Sequence, residues 1–255
     1  MKKILLALFT LILASNAQSR TFTEIKSSGM LVIGVPADYA PLAYYNKQGK
    51  LVGFDIDMAK NLANSLNLTA VFFITSWPTL SQDLIDDRYD IAMGGVTYTK
   101  ARAEQFALSN PIVPNGKIAL ASCQSAAKLV DLDHINQADV KVVVNPGGTN
   151  ESFVNNYIHQ AQIIRVKNNI DNIQSLRDKT ADMMVTDLIE GYYYQYSEPG
   201  VLCLATKTPF LGTKSYKVYM LSQQNLDLLD AINNQLTQLD IHNIAQKWGV
   251  HTQLE

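Results

Sequence analysis

Segments with the pattern of β-strands and segments with the pattern of α-helices alternate along almost the whole chain, and this alternation restricts the possible folds more than any other feature. Short apolar runs predict strands, and apolar residues at helical spacing predict the helices between them. The predicted strands cover 30–35, 70–74, 90–93, 118–123, 140–144, 163–166, 181–185 and 217–221, and the predicted helices cover 54–66, 80–86, 151–160, 170–177, 188–196, 224–239 and 240–248. Strands that alternate with helices indicate an α/β fold with largely parallel sheets.

The alternation falls into two similar series, and one strand and two helices remain at the end of the chain. We therefore predict one lobe built from both ends of the chain, 24–116 and 212–255, with a second lobe, 117–211, inserted in it. Ligand sites in such folds lie at the carboxyl ends of the parallel strands and between domains. Four loops satisfy this condition, those after Val35, Met93, Val144 and Val185.

The first 17 residues are typical of a secretory signal peptide. Two lysines precede an apolar run over 4–14 that is too short to span a bilayer, and small residues follow at 15–17. We predict cleavage near Ala17 and a mature protein that is soluble in the periplasm, with no membrane contact after cleavage. A retained N-terminal anchor is the alternative, while the absence of a cysteine at the cleavage point argues against a lipid anchor.

Composition limits the partners and cofactors of the chain. A formal net charge of -2 argues against nucleic acid and against anionic membranes as partners. Cys123 and Cys203 are expected to form a disulfide in an oxidising compartment. The four histidines have no ligand-like spacing to one another or to the cysteines, so we expect no metal site and no cofactor.

Polar residues with the chemistry of a carboxylate site follow the first and third predicted strands. Asp38 follows the first strand, and Gly94, Gly95 and Thr97 follow the third. Glycines let the backbone approach a ligand, Thr97 offers a hydroxyl group, and Arg102 offers a planar guanidinium that can bind a carboxylate at two points. A single arginine is ordinarily part of a surface ion pair, but the spacing of Thr97 and Arg102 favours ligand binding.

Four short motifs resemble the amino-acid-type family of periplasmic solute-binding proteins. They are Gly53-Phe54-Asp55, Asp90-Ile91-Ala92-Met93, Thr97-x-Thr99-x-x-Arg102 and Phe106-x-x-Ser109-x-Pro111, and the resemblance extends over nearly the whole mature chain. It implies a type II periplasmic-binding-protein fold, in which two α/β lobes, each a mostly parallel sheet flanked by helices, are joined by a two-stranded hinge. It also implies that Arg102 binds the α-carboxylate of an amino acid, that Asp187 binds its α-ammonium group and that Thr149 contacts the ligand.

Further segments resemble one enzymatic branch of that family, the periplasmic cyclohexadienyl dehydratases, which act on prephenate and arogenate. These segments are Thr75-Ser76-Trp77-Pro78, the run over 86–93, Gly116-Lys117, the run Asn-Pro-Gly-Gly-Thr-Asn-Glu over 145–151, and Thr186-Asp187-x-Ile189-Glu190. Both cysteines also lie where that branch has them. Glu190 separates the two possibilities, because plain binding proteins carry a small or apolar residue at this position and the dehydratases carry a glutamate that acts as the general acid.

The resemblance gives Glu190 the role of a proton donor. Glu190 follows Asp187 by three residues, so both side chains project from one face of a helix. Burial and the charge of Asp187 would raise the pKa of Glu190 and keep a proton on it at neutral pH. The alternative is a first-turn glutamate that is stabilised by the helix dipole.

A dianionic substrate requires cationic surroundings, and several residues are predicted to provide them. Arg102 would hold one carboxylate, and the N–H groups of Thr149 and Asn150 would form a second anion site at the start of a helix. Lys217 would pair with the other carboxylate or else be an exposed strand residue. Asn150 could also hydrogen-bond the ring hydroxyl group of the substrate, and Trp77 is expected either to line the ring or to belong to the core.

The predicted function is the conversion of prephenate to phenylpyruvate in the cleft between the lobes, with the conversion of arogenate to phenylalanine left open as a second reaction. The alternative is a non-catalytic protein that delivers an amino acid to the permease of an ABC transporter. In both cases the ligand is a small dicarboxylate or amino acid, and an ABC permease is expected as a partner only in the second case.

Overall fold

The computed structural model describes residues 19–252, and the predicted signal peptide lies outside this range. The helices are α1 (Phe22–Ser28), α2 (Phe54–Ser65), α3 (Leu80–Ile85), α4 (Lys100–Gln105), α5 (Cys123–Ala126), α6 (Leu132–Ile135), α7 (Thr149–Tyr157), α8 (Asn169–Arg177), α9 (Leu188–Ser197), α10 (Leu226–Leu236) and α11 (Ile241–Lys247). The strands are β1 (Met30–Val35), β2 (Asp38–Tyr39), β3 (Ala43–Tyr45), β4 (Leu51–Val52), β5 (Thr69–Ile74), β6 (Ile91–Ala92), β7 (Ala107–Leu108), β8 (Val113–Asn115), β9 (Lys117–Ser122), β10 (Lys141–Val144), β11 (Gln162–Arg165), β12 (Met183–Asp187), β13 (Leu202–Leu204), β14 (Ser215–Lys217) and β15 (Met220–Leu221).

Two five-stranded sheets form the centres of two lobes. The first sheet has the strand order β5-β1-β6-β15-β7, and the second has the order β11-β10-β12-β9-β13. In the first lobe Leu31, Ile33 and Val35 of β1 are fully buried and share one apolar core with Met58 and Leu62 of α2. The spacing of the last two residues explains this packing, because residues at helical period lie on one face of a helix. The predicted α/β class and the two-lobed architecture are confirmed.

Within each sheet four strands point in one direction and a single strand is reversed. β1 is parallel to β5 and β6, and β10 is parallel to β11 and β12. The strand β15 in the first sheet and the strand β9 in the second are antiparallel to both of their neighbours. Each reversed strand follows a crossing between the lobes, so it begins at the edge where the parallel strands end. This geometry brings Lys117, at the start of β9, and Lys217, shortly before β15, to the edge that carries the predicted ligand loops.

Two antiparallel strands connect the lobes. β8 pairs with β14, so that Asn115 lies opposite Ser215 and Val113 lies opposite Lys217. All strands of the second sheet come between β8 and β14 in the sequence. This pair of strands has the form of the predicted two-stranded hinge. The residue ranges predicted for the two lobes stay a prediction.

The elements that the sequence patterns do not predict are short or solvent-exposed. Helix α4 contains no buried residue, so it lacks the apolar spacing that reveals a helix. Helix α1 buries only Ile25, and a capping box formed by Thr21 and Glu24 defines its start. The single strand predicted over 217–221 is divided into β14 and β15, because β14 pairs with the hinge strand β8 while β15 pairs with β6 and β7 of the first sheet.

The predicted disulfide is confirmed. Cys123, at the start of α5, is bonded to Cys203 in β13, and their Cα atoms lie 4.8 Å apart. The bond joins residues separated by 80 positions. Closing a loop of this length stabilises a fold by about 4 kcal/mol, because it restricts the unfolded chain.

Residues 19–252 contain neither a membrane-spanning helix nor a cluster of metal-binding side chains. Between residues 19 and 252, none of the helices has the length and apolar character needed to cross a bilayer. In the same range, no three side chains of His, Cys, Asp or Glu lie together in an arrangement that could hold a metal ion.

Candidate active site between the lobes

A cavity lies between the lobes where the four predicted loops meet. Its wall consists of Tyr39, Trp77, Gly95, Thr97, Arg102, Asn145, Gly148, Thr149, Asn150, Asn169 and Asp187. The lobes are closed over it, and the centre of a water molecule can move through only about 20 Å³ of it. This space holds water but not a molecule the size of prephenate, so such a ligand requires the lobes to open or the side chains to move.

The carboxylate of Asp187 accepts four side-chain hydrogen bonds at this wall. Asp187 Oδ1 accepts from Lys117 Nζ and from Asn115 Nδ2, each at 2.7 Å. Asp187 Oδ2 accepts from Lys217 Nζ and from the hydroxyl group of Tyr39, each at 2.6 Å. Tyr39 follows β1 of the first sheet and Asp187 ends β12 of the second, so this carboxylate ties the two lobes together.

Two lysines hold Asp187 in its ionised form. Asp187 is only 3% exposed, and burial alone would raise its pKa, but the charges of Lys117 and Lys217 outweigh burial and hold the pKa well below its usual value. Burial, together with the repulsion of Lys217, lowers the pKa of Lys117 to about 8 against the attraction of Asp187. Each charge of this buried cluster depends on its partners, because a lone buried charge is strongly destabilising.

Thr97 and Arg102 form one side of the cavity, and Lys217 is hydrogen-bonded to Thr97 there. Lys217 Nζ donates to Thr97 Oγ1 at 3.0 Å and to the carbonyl oxygen of Gly95 at 2.9 Å. Arg102 Nη1 donates to the backbone carbonyl of Thr97 at 2.8 Å, which fixes the guanidinium at the wall. Lys217 is 2% exposed, so the alternative of an exposed strand residue is wrong.

Thr149 and Asn150 begin α7, and their side chains contact Lys117. Lys117 Nζ donates to Thr149 Oγ1 at 2.6 Å and also to Asn150 Oδ1. Gly147 has a φ of +89°, and a Cβ atom there would lie 2.3 Å from the backbone nitrogen of Pro78. Only glycine allows this close approach, which places the start of α7 against the first lobe.

Asp38 connects Trp77 to the second lobe. Its Oδ1 accepts from Trp77 Nε1 at 2.9 Å, and its Oδ2 accepts from the backbone N–H of Asn169 at 3.1 Å. Trp77 is half-buried, and its ring meets that of Tyr39 edge-on with the centroids 5.7 Å apart. Trp77 therefore lines the cavity and also packs against the core of the first lobe, so both predicted positions apply to it.

Glu190, the predicted proton donor, lies in the first turn of α9 and is completely buried. Asn169 Nδ2 donates to its Oε1 at 2.5 Å, and its Oε2 is hydrogen-bonded to the hydroxyl group of Thr186. Burial raises the pKa of Glu190 to about 8 against the effect of these two hydrogen bonds, and the charges of Asp187 and Asp38 act in the same direction as burial. Glu190 is absent from the cavity wall, where Asn169 is its neighbour.

The predicted site residues thus lie in one region of the molecule. Trp77, Thr97, Arg102, Thr149, Asn150 and Asp187 are part of the wall, while Asp38, Lys217 and Glu190 are hydrogen-bonded to wall residues. The roles predicted for these residues depend on a ligand and stay predictions.

Several residues of the site have no role predicted from the sequence, although Lys117 lies in the segment Gly116-Lys117 that resembles the dehydratases. Lys117 precedes an apolar strand, and this was a usable signal because a charge beside a buried strand needs a partner. Asn169 follows β11, whose carboxyl end lies at the same sheet edge as the four predicted ligand loops. Tyr39 follows the candidate Asp38 in the sequence, and Asn115 lies in the hinge strand β8. No local pattern distinguishes either residue from its neighbours.

Comparison with known proteins places the chain in a family. Residues 31–251 match the model of the bacterial extracellular solute-binding proteins, family 3. The chain belongs to this family. Cyclohexadienyl dehydratase from Pseudomonas aeruginosa is 37% identical to this family 3 protein over 202 residues, which cover 79% of this chain and 75% of that protein. The histidine-binding periplasmic protein of Escherichia coli is 29% identical over 158 residues, which cover 62% of this chain and 58% of that protein.

Solved structures agree with this assignment to family 3. An ancestral amino acid-binding protein that is a precursor of cyclohexadienyl dehydratase has a TM-score of 0.81 and 31% identity, and the match covers 89% of this chain and 98% of that one. A mutant of ArgBP from T. maritima also has a TM-score of 0.81, with 24% identity over 89% of this chain and 98% of that one. Because its sequence identity is only 24%, the ArgBP match shows a shared fold and nothing more. The relatives of this family 3 protein therefore include a dehydratase as well as binding proteins.

Proposed function

We propose that this solute-binding protein is a cyclohexadienyl dehydratase that converts prephenate to phenylpyruvate. The observation that carries the proposal is Glu190, a fully buried carboxyl group with a pKa raised to about 8, close to a cavity that Arg102 lines and whose wall residues are bonded to the buried Lys117 and Lys217. A carboxylic acid that keeps its proton at neutral pH is what the reaction requires of a protein. The 37% identity to a cyclohexadienyl dehydratase supports the same function.

The reaction consumes one proton at the leaving oxygen. Prephenate carries a carboxylate and a hydroxyl group at opposite positions of a cyclohexadiene ring, and a pyruvyl arm with a second carboxylate. The bond between the ring and its carboxylate breaks, carbon dioxide leaves, and the electron pair enters the ring as the ring C–O bond breaks. The departing hydroxide receives the proton of Glu190 and leaves as water, and Glu190 regains a proton from solvent. A positioned general acid accelerates such a step by about 10²–10⁴-fold.

The charges around the cavity suit a dianion. With Glu190 protonated, the cations Arg102, Lys117 and Lys217 outnumber the two carboxylates of the site, Asp187, to which both lysines are bonded, and Asp38. In our proposal the guanidinium of Arg102 binds the carboxylate of the pyruvyl arm at two points.

The remaining wall residues have proposed roles that follow from their positions. Trp77 lines the diene ring, and Asp38 fixes the orientation of its indole group. The first-turn N–H groups of Thr149 and Asn150 face the second carboxylate, and the Asn150 side chain is in reach of the ring hydroxyl group. Thr97 holds Lys217 and Arg102 at the wall through its hydroxyl and carbonyl groups.

Prephenate should be a better substrate than arogenate. Arogenate carries an α-ammonium group on its arm, and Asp187 would have to bind that group. Asp187 is already paired with Lys117 and Lys217, and exchanging one of these buried ion pairs for a new cation is costly. We therefore expect a higher kcat/KM for prephenate than for arogenate.

A non-catalytic amino-acid-binding protein is the second candidate, and one observation favours it. Arg102, Thr97 and Asp187 surround a single cavity, which is the arrangement that a receptor for an α-amino acid needs. In that case the protein would deliver its ligand to the permease of an ABC transporter. Under both candidates we propose a periplasmic location, in line with the extracellular family and the signal-like N-terminus.

The test is to mix the purified protein with prephenate and to measure phenylpyruvate by its absorbance in alkali. The wild type should release phenylpyruvate, and Glu190→Gln should lower kcat by at least about 10²-fold. Glu198→Gln is a matched control, because Glu198 follows the same helix and pairs with Arg177. It should leave kcat unchanged. Tight binding of a standard amino acid without any release of phenylpyruvate would reject the dehydratase and leave the receptor.

A further inference from the structure

Three buried asparagines form a cluster of side-chain amides at the cavity. Asn145 follows β10, and Asn169 and Asn172 lie three residues apart in α8, so both project from one face of that helix. Their exposed fractions are 7%, 2% and 1% in this order. Asn145 and Asn169 belong to the cavity wall, and Asn172 lies behind them. Any influence of Asn172 on a ligand must therefore pass through its two neighbours.

The nitrogen of Asn172 orients both neighbouring amides. Asn172 Nδ2 donates to Asn145 Oδ1 at 2.6 Å and to Asn169 Oδ1 at 3.3 Å. An asparagine amide has two N–H donors and one acceptor oxygen, so these bonds use both donors of Asn172. They hold the oxygen of each neighbour toward Asn172, and the nitrogen of each neighbour must face another direction.

Asn169 has a second anchor, whereas Asn145 depends on Asn172. Asn169 Nδ2 donates to the backbone carbonyl of Asp38 at 3.2 Å, and because a carbonyl oxygen only accepts, this contact by itself fixes the amide. Asn145 Nδ2 reaches the carbonyl oxygen of Pro146 at 3.5 Å, which is the limit of a hydrogen bond. The nitrogen of Asn145 is therefore the atom of this wall amide that is available to a ligand.

Stability does not explain an asparagine at position 172. Among residues 19–252, Asn172 Oδ1 has no hydrogen-bond partner, and a buried polar atom without a partner is destabilising. The adjacent Ile173 and the later Leu176 of the same helix belong to an apolar core. A leucine at position 172 would have the same branched shape without an unpaired acceptor. The two donors of Asn172 are thus the feature that a leucine could not supply.

We propose that Asn172 is a positioning residue that turns the amide nitrogen of Asn145 toward the cavity, where this nitrogen donates a hydrogen bond to an anionic oxygen of the substrate. This inference rests on the proposed dehydratase function. An N–H donor suits a substrate with two carboxylates, and a hydrogen bond to a charged group strengthens binding roughly 10–10²-fold. Without Asn172 the Asn145 amide can rotate and present its oxygen, which repels an anion.

Steady-state kinetics with prephenate on Asn172→Leu tests the proposal. Leucine removes both donors, so KM should rise at least about tenfold. The value of kcat should stay within about threefold of the wild type, because Asn169 keeps its bond to the Asp38 carbonyl and stays beside Glu190. A merely structural role for Asn172 would loosen α8 and disturb Glu190, which would lower kcat as well.

Gln174→Leu is the matched control. Gln174 is an exposed residue of the same helix, and its side chain is hydrogen-bonded to Asp178 on the surface. It should leave both KM and kcat at their wild-type values. A rise in KM as large as that of Asn172→Leu would assign the effect to the helix as a whole and would overturn the proposal.

A double-mutant cycle tests the dependence on Asn145. Asn145→Leu should raise KM by itself, and adding Asn172→Leu to it should change KM no further, because the group that Asn172 orients is gone. Effects that multiply in the double variant, or a wild-type KM in Asn172→Leu, would overturn the inference. The dehydratase function would survive that result if Glu190→Gln still abolished turnover, and it would fail separately if the wild type released no phenylpyruvate.

An NMR measurement decides the matter if Asn172→Leu does not fold, which circular dichroism would reveal. The Glu190→Gln protein binds prephenate without turnover, so its ¹⁵N-labelled asparagine side chains can be observed with the ligand in place. The Asn145 side-chain amide resonance, assigned by its loss in Asn145→Leu, should shift when prephenate is added. An Asn145 resonance that stays in place while prephenate binds would overturn the proposal.

Discussion

Asp187 and Glu190 lie one helical turn apart at the start of α9, and their surroundings hold them in opposite charge states. Both are buried, with exposed fractions of 3% and 0%. Asp187 is bonded to two lysines, which keep it ionised, whereas Glu190 is bonded to a neutral amide and a hydroxyl group, and burial keeps its proton in place. Burial therefore does not by itself decide the charge of a carboxyl group. The charge of the nearest partners decides it.

The largest effect is expected from removing the charge of Asp187. Asp187→Asn leaves Lys117 and Lys217 buried without a counter-charge, and breaking a buried ion pair costs about 3–5 kcal/mol. Urea denaturation at pH 7 should show this loss in the free energy of unfolding. Glu190→Gln should instead raise the free energy of unfolding at pH 7, on the order of 2–4 kcal/mol, because the wild type must take up a proton to fold whereas glutamine resembles the neutral acid and can keep both hydrogen bonds. Equal losses in the two variants would contradict the difference in charge state.

Glu190 should also make stability depend on pH. Its pKa is about 8 in the folded protein against an ordinary 4.5, so the folded state binds this proton more tightly than the unfolded state. The resulting stability is complete below pH 4.5 and is lost as the pH rises through 8. Relative to Glu190→Gln, the wild type should lose on the order of 2–4 kcal/mol over this range in urea denaturation. If the free energies of unfolding of the wild type and of Glu190→Gln differed by a constant amount from pH 4.5 to pH 8, Glu190 would titrate as an ordinary glutamate.

The difference between the two carboxyl groups also marks the limit of what the sequence predicts. The loops after Val35, Met93, Val144 and Val185 meet at the cavity, because strand ends are a local pattern. The partners that decide charge are not local. Lys117 lies 70 residues from Asp187, and Asn169, which bonds Glu190, lies 131 residues from its other partner Asp38. The pairing of β12 with β9 brings Lys117 to Asp187, and the closed arrangement of the lobes brings Asn169 to Asp38. No period in the sequence encodes either contact.

The rate of the proposed reaction should also depend on the ionisation of Glu190. Near neutral pH this effect on the rate should be smaller than the effect on the free energy of unfolding. Loss of the proton from Glu190 removes the donor, so kcat/KM for prephenate should be level below about pH 8 and fall about tenfold per unit above it. Lys117, whose pKa is also about 8, loses its proton in the same range. Lys117→Arg keeps a cation at every pH and separates the two groups. A fall that persists in this variant belongs to Glu190, and one that disappears belongs to the lysine.

The smallest effect is expected from the neutral partner of Asp187. Asn115 Nδ2 donates to Asp187, but Asn115 Oδ1 has no hydrogen-bond partner among the described residues. Asn115→Leu removes one favourable bond and one unpaired acceptor, so the free energy of unfolding should change by no more than about 1 kcal/mol. A loss as large as that of Asp187→Asn would mean that neutral hydrogen bonds, and not the lysines, hold Asp187 in place.

The most direct test of the two charge states is a carboxyl ¹³C NMR titration of the folded protein labelled at glutamate and aspartate. Glu190→Gln and Asp187→Asn assign the two resonances. We predict that the Glu190 carboxyl group titrates near pH 8, while the Asp187 carboxylate stays ionised down to the pH at which the protein unfolds. A Glu190 resonance that titrates near pH 4.5 would show an ionised glutamate at neutral pH and would contradict the account.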